Sequence, residues 1–204
     1  MTSRHGWRFE EVSDISGPAS ALRNYREQSG VRRCLEAAAR EAPIRAAADV
    51  GCGYGRLTPV LSEFAARVEG FEREETLLAE ARRLQPDVVW TAITDLGSLP
   101  ASGGAFDFAM TFTVLQHCDD AAARRAVAEL LRIAAGGWIL LIEETDPEVG
   151  SELAADFPGG TRGRAVATWE RWMSPWRLRL FFPRVIEPGY PRADVGTYML
   201  FHDA

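Results

Sequence analysis

The stretch Asp49-Val50-Gly51-Cys52-Gly53-Tyr54-Gly55 constrains this chain more than any other, because it sets an acid and three alternating glycines at the end of a short apolar run, Ala46 to Val50. Such a run, closed by glycines, reads as a buried strand entering a turn. Glycine at alternate positions permits φ > 0 and admits a ligand close to main-chain N–H groups, since no Cβ intervenes. A helix is expected from Leu57 to Ala66, which would put those donors near a helix N-terminus, where negative charge is favoured. The spacing discriminates among nucleotide-type ligands. A dinucleotide turn of the Gly-x-Gly-x-x-Gly/Ala kind, counted from Gly51 and Gly53, needs a small residue at position 56, where this chain has Arg56 and a third glycine one place earlier. Arg56 fits the first turn of the helix, facing solvent.

Two further acids follow at corresponding places. Val68 to Glu72 reads as a second strand, and its terminal Glu72 lies 21 residues after Gly51. One βαβ unit brings the end of its second strand beside the first glycine loop at about that separation, and a carboxylate there can accept from two vicinal hydroxyls. Val88 to Ala92 reads as a third strand, followed by Thr94 and Asp95. Any one of Asp49, Glu72 and Asp95 reads equally as a solvated surface group. Together they mark the carboxyl ends of consecutive strands, where open α/β sheets bind ligands.

The alternation continues through helix Glu74–Leu84, strand Phe106–Thr111, helix Asp120–Ala134 and strand Gly137–Glu143. It predicts an α/β fold with a Rossmann-like, mostly parallel sheet and helices on both faces. Ahead of it, Ala19 to Glu41 reads as one long or two short helices, broken near Ser29-Gly30 and ended by Pro43. After it, Thr145 to Gly163 is rich in Gly, Pro and acids, with a short helix possible over Ser151–Phe157. Helix Arg164–Met173, extended run Arg177–Ile186, a turn at Glu187–Pro191 and strand Val195–His202 complete the pattern as an antiparallel C-terminal β-hairpin. The expected organisation is a single domain over 1–204: a helical cover over 1–43, a ligand-binding core over 44–144, and an acceptor-side loop, helix and hairpin over 145–204.

Taken with the residues after it, the glycine segment resembles the class I S-adenosylmethionine-dependent methyltransferases, most strongly from Ala47 to Glu144. The resemblance implies that Asp49, Gly51, Cys52, Gly53 and Gly55 wrap the methionine end of the cofactor. It implies that Glu72, beside Arg73, takes the ribose hydroxyls, and that Asp95, between Thr94 and Leu96, faces the adenine. Phe106-Asp107 opens the fourth strand as in that family, bringing Thr111 to the cofactor and Phe112 to the acceptor. Tyr25 belongs to the N-terminal segment that covers the cofactor in similar enzymes, with Trp7 and Tyr54 as acceptor-side candidates. Val114-Leu115-Gln116-His117 also looks like members that methylate small metabolites. S-adenosylmethionine is thus the implied cofactor, S-adenosylhomocysteine its product, and no metal is expected. Carboxylates around the cleft suit a sulfonium cation, whereas a phosphate ligand would call for cationic side chains.

Methyl transfer from a sulfonium is an in-line displacement in which positioning alone can supply ~7–11 kcal/mol. An alcohol, phenol or protonated amine also profits from a base, and His117, just past the fourth strand, is the candidate. It reads equally as a residue that caps or packs the next helix. Trp169, Trp172 and Trp176 read as core rather than a substrate cage. Arg162 and Arg164 could meet an acidic acceptor, but the default for such arginines is a solvated face.

The reading is methyl transfer to a small-molecule acceptor, at oxygen or nitrogen rather than carbon. Its rival is a cofactor-binding protein without methyl-transfer activity; a nicotinamide oxidoreductase is opposed by Arg56 and by the hairpin. A net charge of −6 argues against nucleic-acid or anionic-membrane partners. Cys34, Cys52 and Cys118 share no Cys-x-x-Cys spacing. With no apolar leader in Met1 to Pro18 and no long apolar span, a cytoplasmic protein is expected. Oligomeric state is not legible.

Overall fold

The computed structural model describes residues 18–148, 160–185 and 194–203. Helix α1 (Pro18–Ala39) precedes strand β1 (Ala46–Val50), helix α2 (Thr58–Ser62), β2 (Arg67–Glu72), α3 (Glu75–Leu84), β3 (Val89–Ala92) and β4 (Phe108–Phe112). A 3₁₀ turn over Leu115–His117 leads to α4 (Asp120–Ile133), β5 (Trp138–Glu143), α5 (Val166–Met173), β6 (Arg177–Val185) and β7 (Asp194–His202). The seven strands form one sheet in the order β3-β2-β1-β4-β5-β7-β6. The five strands β3 to β5 of that order pair in parallel, and β7 enters antiparallel between β5 and β6. This is the expected Rossmann-like sheet with an antiparallel hairpin; the hairpin's turn and the possible helix over 151–157 lie outside the described residues.

Burial explains the sequence pattern. β1 and β5 are buried along their whole length, as strands covered on both faces must be. One face carries Ala123, Ala126, Val127 and Leu130 of α4 with Trp169 and Met173 of α5, so Trp169 and Trp176 are core, as expected, and the partly buried Trp172 packs against them. The other carries Val31, Cys34, Leu35 and Ala38 of α1 with Val60 and Leu61 of α2. Fully burying the valine, leucine and methionine side chains among these stabilises by about 1.5–3 kcal/mol each. α1 is therefore a structural layer of the core rather than a detachable cover.

Two local expectations are corrected. α1 runs without a break through Ser29-Gly30, because glycine serves packing there: a Cβ on Gly30 would overlap the Tyr198 ring. The Ser29 hydroxyl back-bonds to the Tyr25 carbonyl at 2.7 Å, a local contact that a helix interior tolerates. The helix after the glycine loop spans only Thr58–Ser62, not Leu57–Ala66, since the chain must turn early to enter β2 at Arg67.

Candidate active site

The glycine loop leaves the end of β1 and meets the end of β2. Glu72 Oε2 accepts from the Gly53 N–H at 2.9 Å, and its Oε1 accepts from the Arg73 and Glu74 N–H groups at 2.7 and 3.0 Å. The carboxylate thus ties the loop to the start of α3 and still presents unused lone pairs at the rim. Gly53 has φ +57° and nothing within 4 Å of where its Cβ would stand, so it faces open space. Gly55 is glycine for another reason: its Cβ would strike the Trp90 ring, which also covers Gly70 and packs against Cys52.

The expectation of outward-facing loop donors is corrected. The Gly51 and Cys52 N–H groups both donate to the Phe71 carbonyl, at 2.8 and 3.1 Å, and the Gly55 N–H donates to Cys52 O at 3.0 Å. With the Gly53 N–H on Glu72, this loop is closed on itself and is no cradle for a pyrophosphate. A ligand that needs space and carboxylates, rather than N–H donors, fits this donor set. Among the described residues there is no group of three or more His, Cys, Asp and Glu that could hold a metal ion, and no helix long and apolar enough to cross a membrane.

Asp49 is buried at the end of β1 and accepts from Thr58 Oγ1 at 2.7 Å. Burial pushes its carboxyl up to about 7; the Thr58 hydroxyl pulls it back, and the Glu72 charge raises it further. Cys52 is a packed thiol held well above its ordinary value by burial, then by the charges of Asp49 and Glu72. It offers no nucleophile.

At the end of β3, Thr94 and Asp95 are exposed and Leu96 is half-buried against the core. Asp95 accepts from the Gly97 N–H at 2.9 Å and pairs with Arg125 at 3.6 Å. Arg73 points outward to Glu74.

Several expected site residues go elsewhere. Thr111 is fully buried and donates its hydroxyl to Glu143 at 3.0 Å, because alternation along β4 turns it into the opposite face from Phe112. Tyr54 is buried near Glu27, Arg56 and Arg23 rather than facing the cleft. Tyr25 is exposed and lines a shallow cleft with Phe182, Val185 and Tyr198, between α1 and β6. Arg56 does not face solvent: it donates to Asn24 Oδ1 at 2.8 Å, pairs with Glu27 at 2.6 Å and lies 5.5 Å from the Phe112 ring centre. Trp7 lies outside the described residues.

The turn after β4 is the most tightly held segment. Thr113 adopts φ 55°, a strained state for a β-branched residue, and donates its N–H to Ile142 O at 2.7 Å. Glu143, fully buried at the end of β5, accepts from the N–H groups of Val114, Leu115 and Gln116 as well as from Thr111. Burial still pushes its carboxyl upward against those four donors. Arg164, also buried, binds the opposite side: it donates to Leu115 O at 2.9 Å, to Cys118 O at 2.6 Å and to Asp120 at 3.1 Å. It is therefore neither a solvated arginine nor an acceptor ligand. Glu143 stands at the end of the apolar run Trp138–Ile142, where an acid has no packing purpose, so that position carried a signal; Arg164 carried none.

His117 closes this turn. Its Nδ1 lies 2.7 Å from Gly160 O, and because a carbonyl only accepts, the proton resides on Nδ1 and Nε2 is the basic nitrogen, with Gln116 Nε2 at 3.5 Å. Burial holds the ring's pKa below its ordinary value, so it is neutral at pH 7.

Known proteins share this fold. Residues 48–142 match the family model described as a methyltransferase domain. The chain is similar to an uncharacterized 37.1 kDa protein of transposon Tn4556 from Streptomyces fradiae, 32% identical over 121 residues that make up 57% of this chain and 34% of that protein. It thus spans about a third of that curated relative. Its fold is similar to that of magnesium protoporphyrin IX methyltransferase from Synechocystis PCC 6803, solved with bound S-adenosylmethionine (TM-score 0.71, 15% identity, 96% of this chain and 91% of that one). It is equally similar to an S-adenosylmethionine-dependent methyltransferase of Leishmania major (TM-score 0.73, 17% identity, 94% and 76%). Residues 48–142 thus match a methyltransferase domain, and the chain shares the fold of S-adenosylmethionine-dependent methyltransferases.

Proposed function

We propose that this chain transfers a methyl group from S-adenosylmethionine to a small-molecule acceptor, at oxygen or nitrogen rather than carbon. The observation that carries the choice of atom is His117: its tautomer is set by Gly160 O, which makes Nε2 a base at the end of β4. A hydroxyl or ammonium acceptor must lose a proton as it is methylated, whereas positioning alone serves a neutral amine or thiolate.

Asp49, Glu72 and the open side of Gly53 would hold the cofactor, with Thr94, Asp95 and Leu96 at its adenine end. When bound, S-adenosylmethionine supplies an electrophilic methyl group on a cationic sulfur. The protein's own part is geometry. Glu143 and Arg164 fix the N–H and C=O groups of residues 114–118 from opposite sides, so His117 is held on a turn that does not need to reorganise. Its depressed pKa keeps it ready to accept a proton at neutral pH.

Calorimetry with S-adenosylhomocysteine and NADH, followed by a methylation assay over a panel of alcohols, phenols, amines and acids read by S-adenosylhomocysteine release, tests this reading. Binding of S-adenosylhomocysteine but not NADH, with a methylated oxygen or nitrogen product, is expected. NADH binding alone would overturn it, and cofactor binding with no product from any acceptor would favour a non-methylating role.

A further inference from the structure

The glycine loop is held at its exit as well as at its entrance. Gly55 is buried with φ +78°, and its carbonyl accepts from Gln85 Nε2 at 2.8 Å. Because a carbonyl only accepts, the NH₂ end of the Gln85 amide is the end that faces the loop. Gln85 caps the C-terminus of α3, and its own main chain is fixed on both sides: the N–H donates to Ala81 O at 2.9 Å, and the carbonyl accepts from the Trp90 indole N–H at 2.9 Å. A Cβ on Gly55 would overlap the Trp90 ring and come within 2.9 Å of the Gln85 amide nitrogen, so both side chains press against the loop's backbone.

One residue further on, a different helix takes hold. The Arg56 guanidinium donates to Asn24 Oδ1 at 2.8 Å and pairs with Glu27 at 2.6 Å, both on α1. The exit of the loop is thus strung between α3 and α1, while Phe71 O and Glu72 hold its entrance through the N–H groups of Gly51, Cys52 and Gly53. Between these fixings stands Gly53, which faces open space. If Gln85 lost its donor, the buried Gly55 carbonyl would be left without a partner, and the loop would relieve that cost by turning the carbonyl toward water. The glycines on either side would move with it.

We propose that Gln85 is a positioning residue for the cofactor: by holding Gly55 O, it sets the width of the space beside Gly53. This rests on the methyl-transfer reading above and extends the cofactor site to a side chain that acts only through the loop. A loop shaped before its ligand arrives spares the ordering cost of binding, so the benefit is read in affinity.

The test measures S-adenosylhomocysteine affinity by calorimetry. Gln85→Met, similar in length but with no donor, should weaken binding by about five- to fiftyfold. Gln85→Glu cannot donate while ionised; its penalty relative to the wild type should shrink between pH 8 and pH 5, as the carboxyl takes up a proton and regains a donor. Gln85 is half-buried at a helix end, so both variants should fold, and circular dichroism checks them. Asp107→Ala separates positioning from stability: Asp107 accepts from the Arg45 and Ala46 N–H groups at the start of β1, the end opposite the glycine loop. It should lower the melting temperature yet leave affinity within about twofold of the wild type, as distant sites act independently. Wild-type affinity in Gln85→Met, or an Asp107→Ala loss of affinity as large as that of Gln85→Met, would overturn the inference and leave the methyl-transfer reading standing. A wild-type protein that ignores S-adenosylhomocysteine would sink both.

Discussion

Asp49→Asn should make the protein more stable at alkaline pH while weakening its hold on the cofactor. Asp49 is 3% exposed, and burial, opposed mainly by the Thr58 hydroxyl, lifts its carboxyl from 3.8 to about 7. The folded chain therefore binds a proton that the unfolded chain has released. Because the folded value lies above the unfolded one, the stabilisation is complete below about pH 4, declines between about 4 and 7, and is gone above that range. At about 1.4 kcal/mol per pH unit, the ionised carboxylate costs up to about 4 kcal/mol at pH 8. Asparagine keeps an oxygen for the Thr58 hydroxyl and carries no charge to desolvate. Urea unfolding of both proteins at pH 5 and pH 8 measures the gap between them, which should widen by about 2–3 kcal/mol in favour of the variant as pH rises. A gap that stays constant would refute the placement of Asp49 as a buried, titrating acid. Cofactor titrations close the comparison: a sulfonium favours the ionised form, so wild-type affinity should rise with pH through 7 and the variant's should not.

Gly53→Ala should fold with a loss of only about 1–2 kcal/mol, from its left-handed backbone, yet lose cofactor affinity measured by calorimetry; Gly55→Ala should instead lower the melting temperature by displacing Trp90. His117→Ala should cut kcat by ~10²–10⁴ with cofactor affinity intact, and the wild-type rate should fall only below the ordinary histidine value because burial depresses the pKa. A pH–rate profile of the variant should lack that limb. Glu27→Gln should destabilise the fold by about 3–5 kcal/mol in chemical denaturation, since it removes the buried carboxylate that Arg23, Arg56 and Arg184 share.

What the sequence made legible follows from local rules. β1 ends where the glycines begin, and β4 and β5 are short apolar runs bounded by turn residues, so their strands fall within a residue or two of where the pattern puts them. Glu72 was legible because its spacing from Gly51 is a property of one βαβ unit. The errors arise where a residue answers to a distant partner. Gly30 looked like a helix breaker until Tyr198, more than 160 positions later, filled the space beside it. Arg56 looked solvated because nothing local reveals a buried glutamate on α1, and Tyr25 looked like part of the cofactor cover because the rotation of α1 is set by β6 and β7. Glycine loops invite the reading that their N–H groups await a ligand, but here Phe71 O and Glu72 had already taken them.

The position of β7 bears on how this protein is made. The strand formed by residues 194–202 fills the gap between β5 and β6, and it carries Tyr198, which donates to Glu27 O across the sheet at 3.2 Å. A ribosome releases α1 and β1 to β5 long before that strand emerges, so during synthesis β5 presents an unpaired edge and the face of α1 that meets β6 and β7 has nothing to cover it. The contact that joins α1 to β7 spans 171 positions, a separation that slows folding and lengthens the interval in which an open strand edge can recruit a neighbouring chain. Until β7 pairs, the open edge of β5 is the place where such a chain is most exposed to misassembly.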